Sequence, residues 1–517
     1  MIADELHRLI LTCLHHAPTA DQQRAVGAFC RFLTDAGSSF HPPVFILRGS
    51  AGTGKTTLAA AIVQTLLELK QKLVLLAPTG RAAKVLALAA GHAAYTIHRR
   101  IYRQRSAADL SAFNLNDNLH TDTLFIVDEA SMIGGSGNDG SNGNDGGLSF
   151  GSGNLLEDLV RYVYSGARCR LMLIGDGAQL PPVGEPLSPA LSADVLSAYG
   201  LTVHEADLSE VLRQAQSSGI LFNATRLRCS ANGCNTAVDR TDGAVLPKIL
   251  AGDFPDVTLV PGDELIEQLA SSYSHAGLDD TIVITRSNKR ANIYNQGIRR
   301  TILDREDELC RGDQLMIVKN NYSLTPSPEG KGEPQQAFHH FSPPFGGGVG
   351  GGAAGAPPFL ANGDRCVVQR VRNQRDMHGF RFADVTLLFP DYDDYELTAT
   401  VILDTLTTDA PALTREQQQQ LYDRVMADYA DIPLKADRMR QVRQDPYYNA
   451  LQVKFGYAVT CHKAQGGQWA HVYIDQGYMT DDMVGEDYLR WLYTAFTRAT
   501  ERLFLVNWPE EQIEEKA

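Results

Sequence analysis

The chain has 517 residues, of which 44% are hydrophobic and 21% charged, with a net charge of −14. That length allows roughly two to four domains with sizeable cores. No apolar run approaches the ~20 residues of a membrane span, and the start, Met1-Ile2-Ala3-Asp4-Glu5, lacks the basic segment of a secretory leader. The acidic balance excludes a surface coated in Lys and Arg, but a local groove needs only a few cations to meet phosphates. The eight cysteines are scattered, and Cys229 and Cys234 have no second pair at zinc-site spacing. They read as reduced thiols, which makes a cytoplasmic location the expectation.

Residues 2–17 read as a helix with an apolar stripe of Ile2, Leu6, Leu9, Ile10 and Leu14, and Thr19 reads as the N-cap of the next helix. The stretch from Phe45 to Thr57 is a short buried strand, a glycine-rich turn and a helix start. Gly49, four residues, then Gly54-Lys55-Thr56 is the spacing of a P-loop. Glycines let backbone N–H groups curl around phosphate oxygens, and the following helix presents its positive end. In such a loop Gly49, Ser50, Ala51, Gly52, Thr53, Gly54, Lys55, Thr56 and Thr57 form the cradle for a nucleoside triphosphate, Lys55 supplies a point charge, and the Thr56 hydroxyl can ligate Mg²⁺.

A strand at 72–77 runs into Pro78-Thr79-Gly80-Arg81, and Tyr95-Thr96-Ile97-His98 follows. A third strand, 124–127, ends in Asp128-Glu129, at the strand end where ligands sit in open α/β sheets. One carboxylate there can hold Mg²⁺ while the next polarises an attacking water. Gly134 to Asn154, rich in Gly, Asn, Ser and Asp, reads as a flexible insertion. A fourth strand, 170–174, leads into Gly175-Asp176-Gly177-Ala178-Gln179-Leu180-Pro181-Pro182, a proline-braced loop on which Gln179 could sense a γ-phosphate. Four strands separated by helices complete one parallel sheet.

A second α/β pattern begins near residue 206, with a strand at 281–285 and a helix at 287–303. Residues 322–358 are rich in Pro and Gly, and residues 363–403 alternate apolar and polar like a small β-barrel. The α/β pattern resumes at Lys454-Phe455-Gly456-Tyr457, carries Thr460-Cys461-His462-Lys463-Ala464-Gln465-Gly466, and ends in a helix with Arg498 and a strand at 503–506.

The ordered series Gly-Ser-Ala-Gly-Thr-Gly-Lys-Thr-Thr (49–57), Ala-Pro-Thr-Gly-Arg-Ala-Ala (77–83), Thr-Ile-His (96–98), Asp-Glu-Ala-Ser-Met (128–132), Gly-Asp-Gly-Ala-Gln-Leu-Pro-Pro-Val-Gly (175–184), Thr-Cys-His-Lys-Ala-Gln-Gly (460–466) and Tyr-Thr-Ala-Phe-Thr-Arg-Ala (493–499) resembles a superfamily one DNA helicase of the RecD-like branch, from about Thr19 to Arg498. The resemblance implies an α/β fold of two RecA-like parallel-sheet domains of the P-loop NTPase class, with a small β-rich SH3-like insertion in the second. The first domain would be 1–205, with a short wedge-like segment at 99–122 that lacks a clear hairpin signal. The second would be 206–318 with 445–517, and the insertion 319–444.

The resemblance further implies ATP and Mg²⁺ in the cleft between the two domains. Gln22 would read adenine, Asp128 and Thr56 would hold Mg²⁺, Glu129 would position water, and Gln179 would sense the γ-phosphate. Arg213 and Arg498 would act as arginine fingers, and Gly466 would lie at the nucleotide. Pro78, Thr79, His98, Thr460 and His462 would line a track for single-stranded DNA. The implied activity is ATP-driven translocation on single-stranded DNA and at junctions with duplex, 5′ to 3′, in repair or recombination, by a monomer with no membrane association. An RNA helicase and an ATP-gated clamp remain open as alternatives. Gln468 stands where this branch usually has Glu, and the Gly/Asn-rich insertion after Met132 is also a departure.

Overall fold

A computed structural model describes residues 2–517 other than 15, 36–40, 107–108, 136–148, 211–217, 232–246, 253, 322–359, 393, 481–482 and 515–517. The chain forms two units, Met1–Ala107 with Ser111–Arg305 and Tyr457–Ala517, and Ala108–Leu110 with Glu306–Gly456.

The first unit carries two parallel sheets. One is built from β1 (Pro43–Gly49), β2 (Lys72–Ala77), β3 (Ala94–Thr96), β6 (Thr123–Val127), β8 (Arg170–Gly175) and β9 (Thr202–Leu208), numbered in chain order. Its order is β3-β2-β6-β8-β1-β9, and every pairing is parallel. The four strands legible as apolar runs are the interior ones, as expected where helices cover both faces. β3 and β9 extend the sheet at its edges. β3 is only three residues long, and β9 reads Thr-Val-His-Glu-Ala-Asp-Leu with mostly part-exposed side chains, so neither stands out as a buried run. β9 also carries the first sheet past the expected boundary at 205.

The helix Ala20–Thr34 starts at a capping box: Gln22 N–H donates to Thr19 Oγ1 at 3.2 Å, and Thr19 N–H donates to Gln22 Oε1 at 3.1 Å. Its Phe29 and Phe32 pack on Phe45 of β1 with ring centroids 5.6 and 5.5 Å apart. They join Ile62 and Leu66 of the P-loop helix Lys55–Glu68 in one core. The P-loop therefore sits between a strand and a helix that are both anchored in close-packed apolar side chains. The first helix, Ile2–Thr12, stops short of residue 17.

The segment after His98 differs from its expectation. β4 (Tyr102–Ser106), β5 (Asp109–Leu115) and β7 (Ser149–Phe150) form a three-stranded sheet in the order β4-β5-β7, with β7 parallel to β5. β4 and β5 thus lie side by side in a sheet where no strand pairing was legible, and Ala107-Ala108 between them lie outside the described residues. The end of the Gly/Asn insertion is likewise structured. β7 pairs with β5, and Asn154 caps the helix Leu155–Ser165 by accepting from Glu157 N–H at 3.0 Å. Residues 136–148 of that insertion lie outside the described residues.

The second sheet has the order β10-β19-β18-β11-β17, from β10 (Val257–Val260), β11 (Thr281–Thr285), β17 (Ala458–Thr460), β18 (Trp469–Asp475) and β19 (Ala499–Val506), all parallel. β10 was not foreseen; its four residues are short for a pattern reading.

The second unit holds a closed barrel of β12 (Gln314–Ile317), β13 (Arg365–Met377), β14 (Phe380–Phe389), β15 (Tyr395–Ile402) and β16 (Leu451–Phe455). It is antiparallel throughout except for β15 against β16. The barrel is therefore longer in sequence than 319–444. Closure recruits β12 before that span and β16 after it, so Lys454-Phe455 belongs to the barrel and the α/β chain resumes at Tyr457. The Pro/Gly-rich stretch 322–359 lies outside the described residues. Leu421 and Val425 of the helix Arg415–Asp428 and Val442 of the helix Lys435–Gln444 pack on Phe380, Phe382 and Ile402.

Inside this unit Asp364 is buried, accepting from Ala361 N–H at 2.7 Å and from Tyr392 O–H at 2.8 Å. Burial pushes its carboxyl up from 3.8 to about 7. The folded unit then holds a proton that the unfolded chain releases, so the contribution is complete below about pH 4 and is lost as pH rises to about 7. Hydrogen exchange of the β13 and β14 amides in the intact chain is expected to show a less stable barrel at pH 8 than at pH 5, after correction for intrinsic exchange. Asp364→Asn, which keeps an acceptor but cannot ionise, should flatten that difference by an amount on the order of a few kcal/mol.

Candidate nucleotide site

Parallel pairing lines up the carboxyl ends of β1, β6 and β8, so the loops that follow them share one edge of the first sheet. The turn after β1 needs glycine at its first position. A Cβ on Gly49 would lie 2.9 Å from Lys55 Cγ and Thr53 Oγ1 and 3.0 Å from Leu208 Cβ. Gly52 and Gly54 take φ of 76° and 80°, where a side chain is strained. Lys55 Nζ donates to the carbonyls of Gly49 and Ser50 at 2.5 and 2.9 Å and lies 3.8 Å from Asp176 Oδ2.

Beyond β6, Asp128 Oδ1 accepts from Glu129 N–H at 2.8 Å, and Glu129 itself is left-handed at φ 52°. Desolvation in the cleft, and then the charge of Glu129, raise the Asp128 carboxyl from 3.8 to about 7, although Lys55 pulls the other way. Beyond β8, Gln179 is 5% exposed and its Oε1 is buried with no hydrogen-bond partner. An unpaired buried acceptor costs about 1–3 kcal/mol, which a ligand donor or water at the cleft would recover.

The other wall comes from the second sheet. The helix Glu486–Phe496 grips the loop after β8 from one face, with contacts at Arg490, Tyr493 and Thr494. Arg490 Nη1 donates to Gly177 O at 2.7 Å, Tyr493 O–H donates to Asp176 Oδ2 at 2.6 Å, and Leu180 N–H donates to Thr494 Oγ1 at 2.8 Å. Gln465 Nε2 adds a bond to Leu180 O at 2.7 Å. Two residues past the helix, Arg498 is 2% exposed. Its guanidinium is fixed by Thr494 O, Gly467 O and Thr497 Oγ1, each at 3.1 Å. It is not a surface ion pair. Ser50, Lys55, Thr56, Asp128, Glu129 and Gln179 from the first sheet face Gln468, Thr497 and Arg498 from the second across a cleft of about 470 Å³.

Other expected site residues fall elsewhere. Gln22 is fully buried beside the P-loop, its Oε1 in the capping box and its Nε2 donating to Thr53 O at 3.2 Å. Gly466 is not on the cleft wall. At φ 72°, its Cβ position would lie 3.0 Å from Thr79 Oγ1, 3.4 Å from Ala82 Cβ and 3.5 Å from Met132 Sδ, so it marks a close approach between the two sheet modules. Pro78 and Thr79 follow β2, and Thr79 caps the helix Gly80–Ala90 by accepting from Ala82 N–H. His98 lies 5.6 Å from the Tyr102 ring, Thr460 ends β17, and His462 is exposed. Arg213 lies outside the described residues.

Two contacts had no legible signal. Arg228, on the helix Gly219–Ala231, donates to Ser50 Oγ in the P-loop, and Ala51 N–H donates to Tyr493 O–H at 2.9 Å. Tyr493 stands inside a recognised motif, but nothing local says what its hydroxyl meets.

The cleft suits Mg²⁺. Among the described residues no group of three or more His, Cys, Asp or Glu could form an all-protein cage. Mg²⁺ instead takes one or two carboxylates and keeps phosphate and water ligands. Thr56 and Asp128 line the cleft, and one hydroxyl with one carboxylate is a donor set of that kind.

A family model described as an AAA domain matches residues 20–138, and one described as the UvrD-like helicase C-terminal domain matches residues 455–506. The chain is 31% identical over 180 residues to the ATP-dependent RecD2 DNA helicase of Deinococcus radiodurans, an overlap of 34% of this chain and 20% of that protein. The match thus spans about a fifth of the relative's length. A crystal structure of Pif1 helicase from Bacteroides with ADP-AlF3 and ssDNA aligns over 97% of this chain and 95% of that one, at 14% identity and a TM-score of 0.43. Pif1 helicase from Candida albicans aligns over 96% of each chain, at 16% identity and 0.41. The family models fall on the two halves of the cleft, and the chain resembles superfamily one helicases of the RecD-like branch. No helix among the described residues is long and apolar enough to cross a membrane.

Because a metal binds the carboxylate and not the acid, protons should compete with Mg²⁺ below about pH 7, where Asp128 is protonated. Titration of Mg²⁺ against the ADP-loaded chain is expected to show about tenfold weaker binding at pH 6 than at pH 8. Asp128→Asn should weaken binding at both and remove most of that dependence. Equal affinities for the unaltered chain at the two pH values overturn the assignment.

Proposed function

We propose that the chain is an ATP hydrolase that uses the cycle of its interdomain cleft to move along single-stranded DNA, 5′ to 3′, and to separate strands at junctions. The observation that carries this reading is the facing of Lys55, Glu129 and Gln179 on one sheet module by Arg498 on another. A P-loop protein with no need to move its parts has no use for a cation delivered from a second sheet.

In this reading the P-loop amides and Lys55 bind the phosphates, while Thr56 and Asp128 hold Mg²⁺, which neutralises phosphate charge when bound. Glu129, fixed by a strained backbone, orients the attacking water and accepts its proton. Gln179 presents its free acceptor to the water or its amide to the γ-phosphate. Arg498 stabilises charge on the transferred group, but only while the cleft is closed, which ties hydrolysis to the separation of the two modules. Pro78, Thr79 and His98 after strands of the first sheet, and Thr460 and His462 after a strand of the second, supply the track. Modules that approach at Thr79 and Gly466 would change the spacing of that track as they move. Contacts to the backbone carry no sequence information, so binding should tolerate sequence and weaken with salt.

ATPase activity should rise severalfold with single-stranded DNA, and duplexes with 5′ tails should be unwound in preference to 3′-tailed ones. Equal rates with and without nucleic acid sink the translocase, and stimulation by RNA alone redirects the substrate. Lys55→Ala and Glu129→Gln should abolish turnover. Arg498→Ala should lower kcat by roughly 10³-fold or more while ATP still binds; lost binding would mean its role lies elsewhere.

A further inference from the structure

The P-loop is held from outside its own sheet. Ser50 Oγ accepts from Arg228, and Ala51 N–H donates to the Tyr493 hydroxyl at 2.9 Å. The same hydroxyl donates to Asp176 Oδ2 at 2.6 Å. Tyr493 is 1% exposed, and burial, followed by the charge of Asp176, holds its phenol well above the ordinary range, so the hydroxyl stays protonated. With its one proton committed to Asp176, the oxygen meets Ala51 as an acceptor. Tyr493 therefore sits at a three-way junction between the phosphate loop, the loop that carries Gln179, and the helix that leads to Arg498.

Asp176 is shared a second time. Lys55 Nζ stands 3.8 Å from the same Oδ2 that takes the Tyr493 proton. When Lys55 turns to phosphate, as the proposed reading requires, Asp176 loses a cation and depends more on Tyr493 and on the Ala178 N–H that reaches its other oxygen at 3.0 Å. Occupancy of the loop thus changes the strength of a bond to the opposite module.

We propose that Tyr493, supported by Arg228, is a positioning residue that couples the state of the P-loop to the placement of Arg498. The proposal deepens the ATPase reading and rests on it. Neither residue is required to touch nucleotide. Tyr493 fixes where the helix Glu486–Phe496 lies against the loop Asp176–Leu180, and Arg498, two residues past the helix, is tied back to it through Thr494 O. Arg228 holds the neighbouring turn of the P-loop from the helix Gly219–Ala231, which packs against the helix Glu486–Phe496. A shift of about 1 Å at a catalytic group can cost on the order of 10²-fold in rate.

The test is Tyr493→Phe, which removes one oxygen and leaves the ring packed. The expected result is a kcat for ATP lower by roughly 10- to 100-fold. KM and the affinity for a fluorescent ADP analogue should be unchanged, and most of the stimulation by single-stranded DNA should be lost. Arg228→Ala should move the same parameters in the same direction, and Arg228→Lys should recover part of the loss, because a lysine can still donate to Ser50. Retention of kcat and stimulation in Tyr493→Phe overturns the proposal. So does a loss that falls equally on nucleotide affinity, which would mark a merely structural role. If the unaltered chain binds nucleotide but shows no stimulated ATPase, the translocase reading fails instead, and the two failures are distinguishable.

Discussion

The structure depends on one grip. Arg490, Tyr493 and Thr494 on the helix Glu486–Phe496 hold the loop Asp176–Leu180 through bonds of 2.6–2.8 Å. That loop ends β8 of the first sheet, and that helix precedes β19 of the second. The two sheets are separate hydrogen-bonded objects, and this contact, with those of Arg228, Gln465 and Gly466, fixes Gln179 relative to Arg498. Two of these bonds involve a charged group, Arg490 or Asp176, where a net contribution of about 1.5–3 kcal/mol each is typical. They join polar groups of the two modules.

The active edge shows how a charged ligand site is prepared before the ligand arrives. Lys55 lies on the carbonyls of its own loop, Arg498 on three oxygens, and Asp128 carries a raised pKa beside Glu129. Both cations are held by protein oxygens beside the cleft, and a ligand phosphate would compete with those oxygens for Lys55. The same edge holds an unpaired Gln179 Oε1 and a left-handed Glu129, both on the cleft wall. At this edge a ligand could relieve both.

The second unit follows a different logic. Its barrel closes by pairing β12 with β16, strands that lie more than a hundred residues apart in sequence. Closure removes exposed sheet edges, which would otherwise template aggregation. The helices Arg415–Asp428 and Lys435–Gln444 lie between β15 and β16 in sequence and leave the ladder intact.

The amino-acid sequence by itself determined the P-loop, the carboxylates after β6, the motif order, the two-sheet α/β class and the presence of a β-rich insertion. These depend on short-range rules: glycine where φ is positive, apolar runs for buried strands, a Thr and a Gln three apart for a helix cap. What only the tertiary structure decided were the edge strands β3 and β9, the β4-β5-β7 sheet, the true ends of the barrel, and every bond that crosses the cleft. The reason is range. Tyr493 and Ala51 meet across 442 positions, and Leu180 and Thr494 across 314. No local pattern encodes such a meeting, because it is fixed by the register of two independent sheets and by glycines such as Gly466 that let them approach. The P-loop could be read from nine consecutive residues, but the hands that hold it could not.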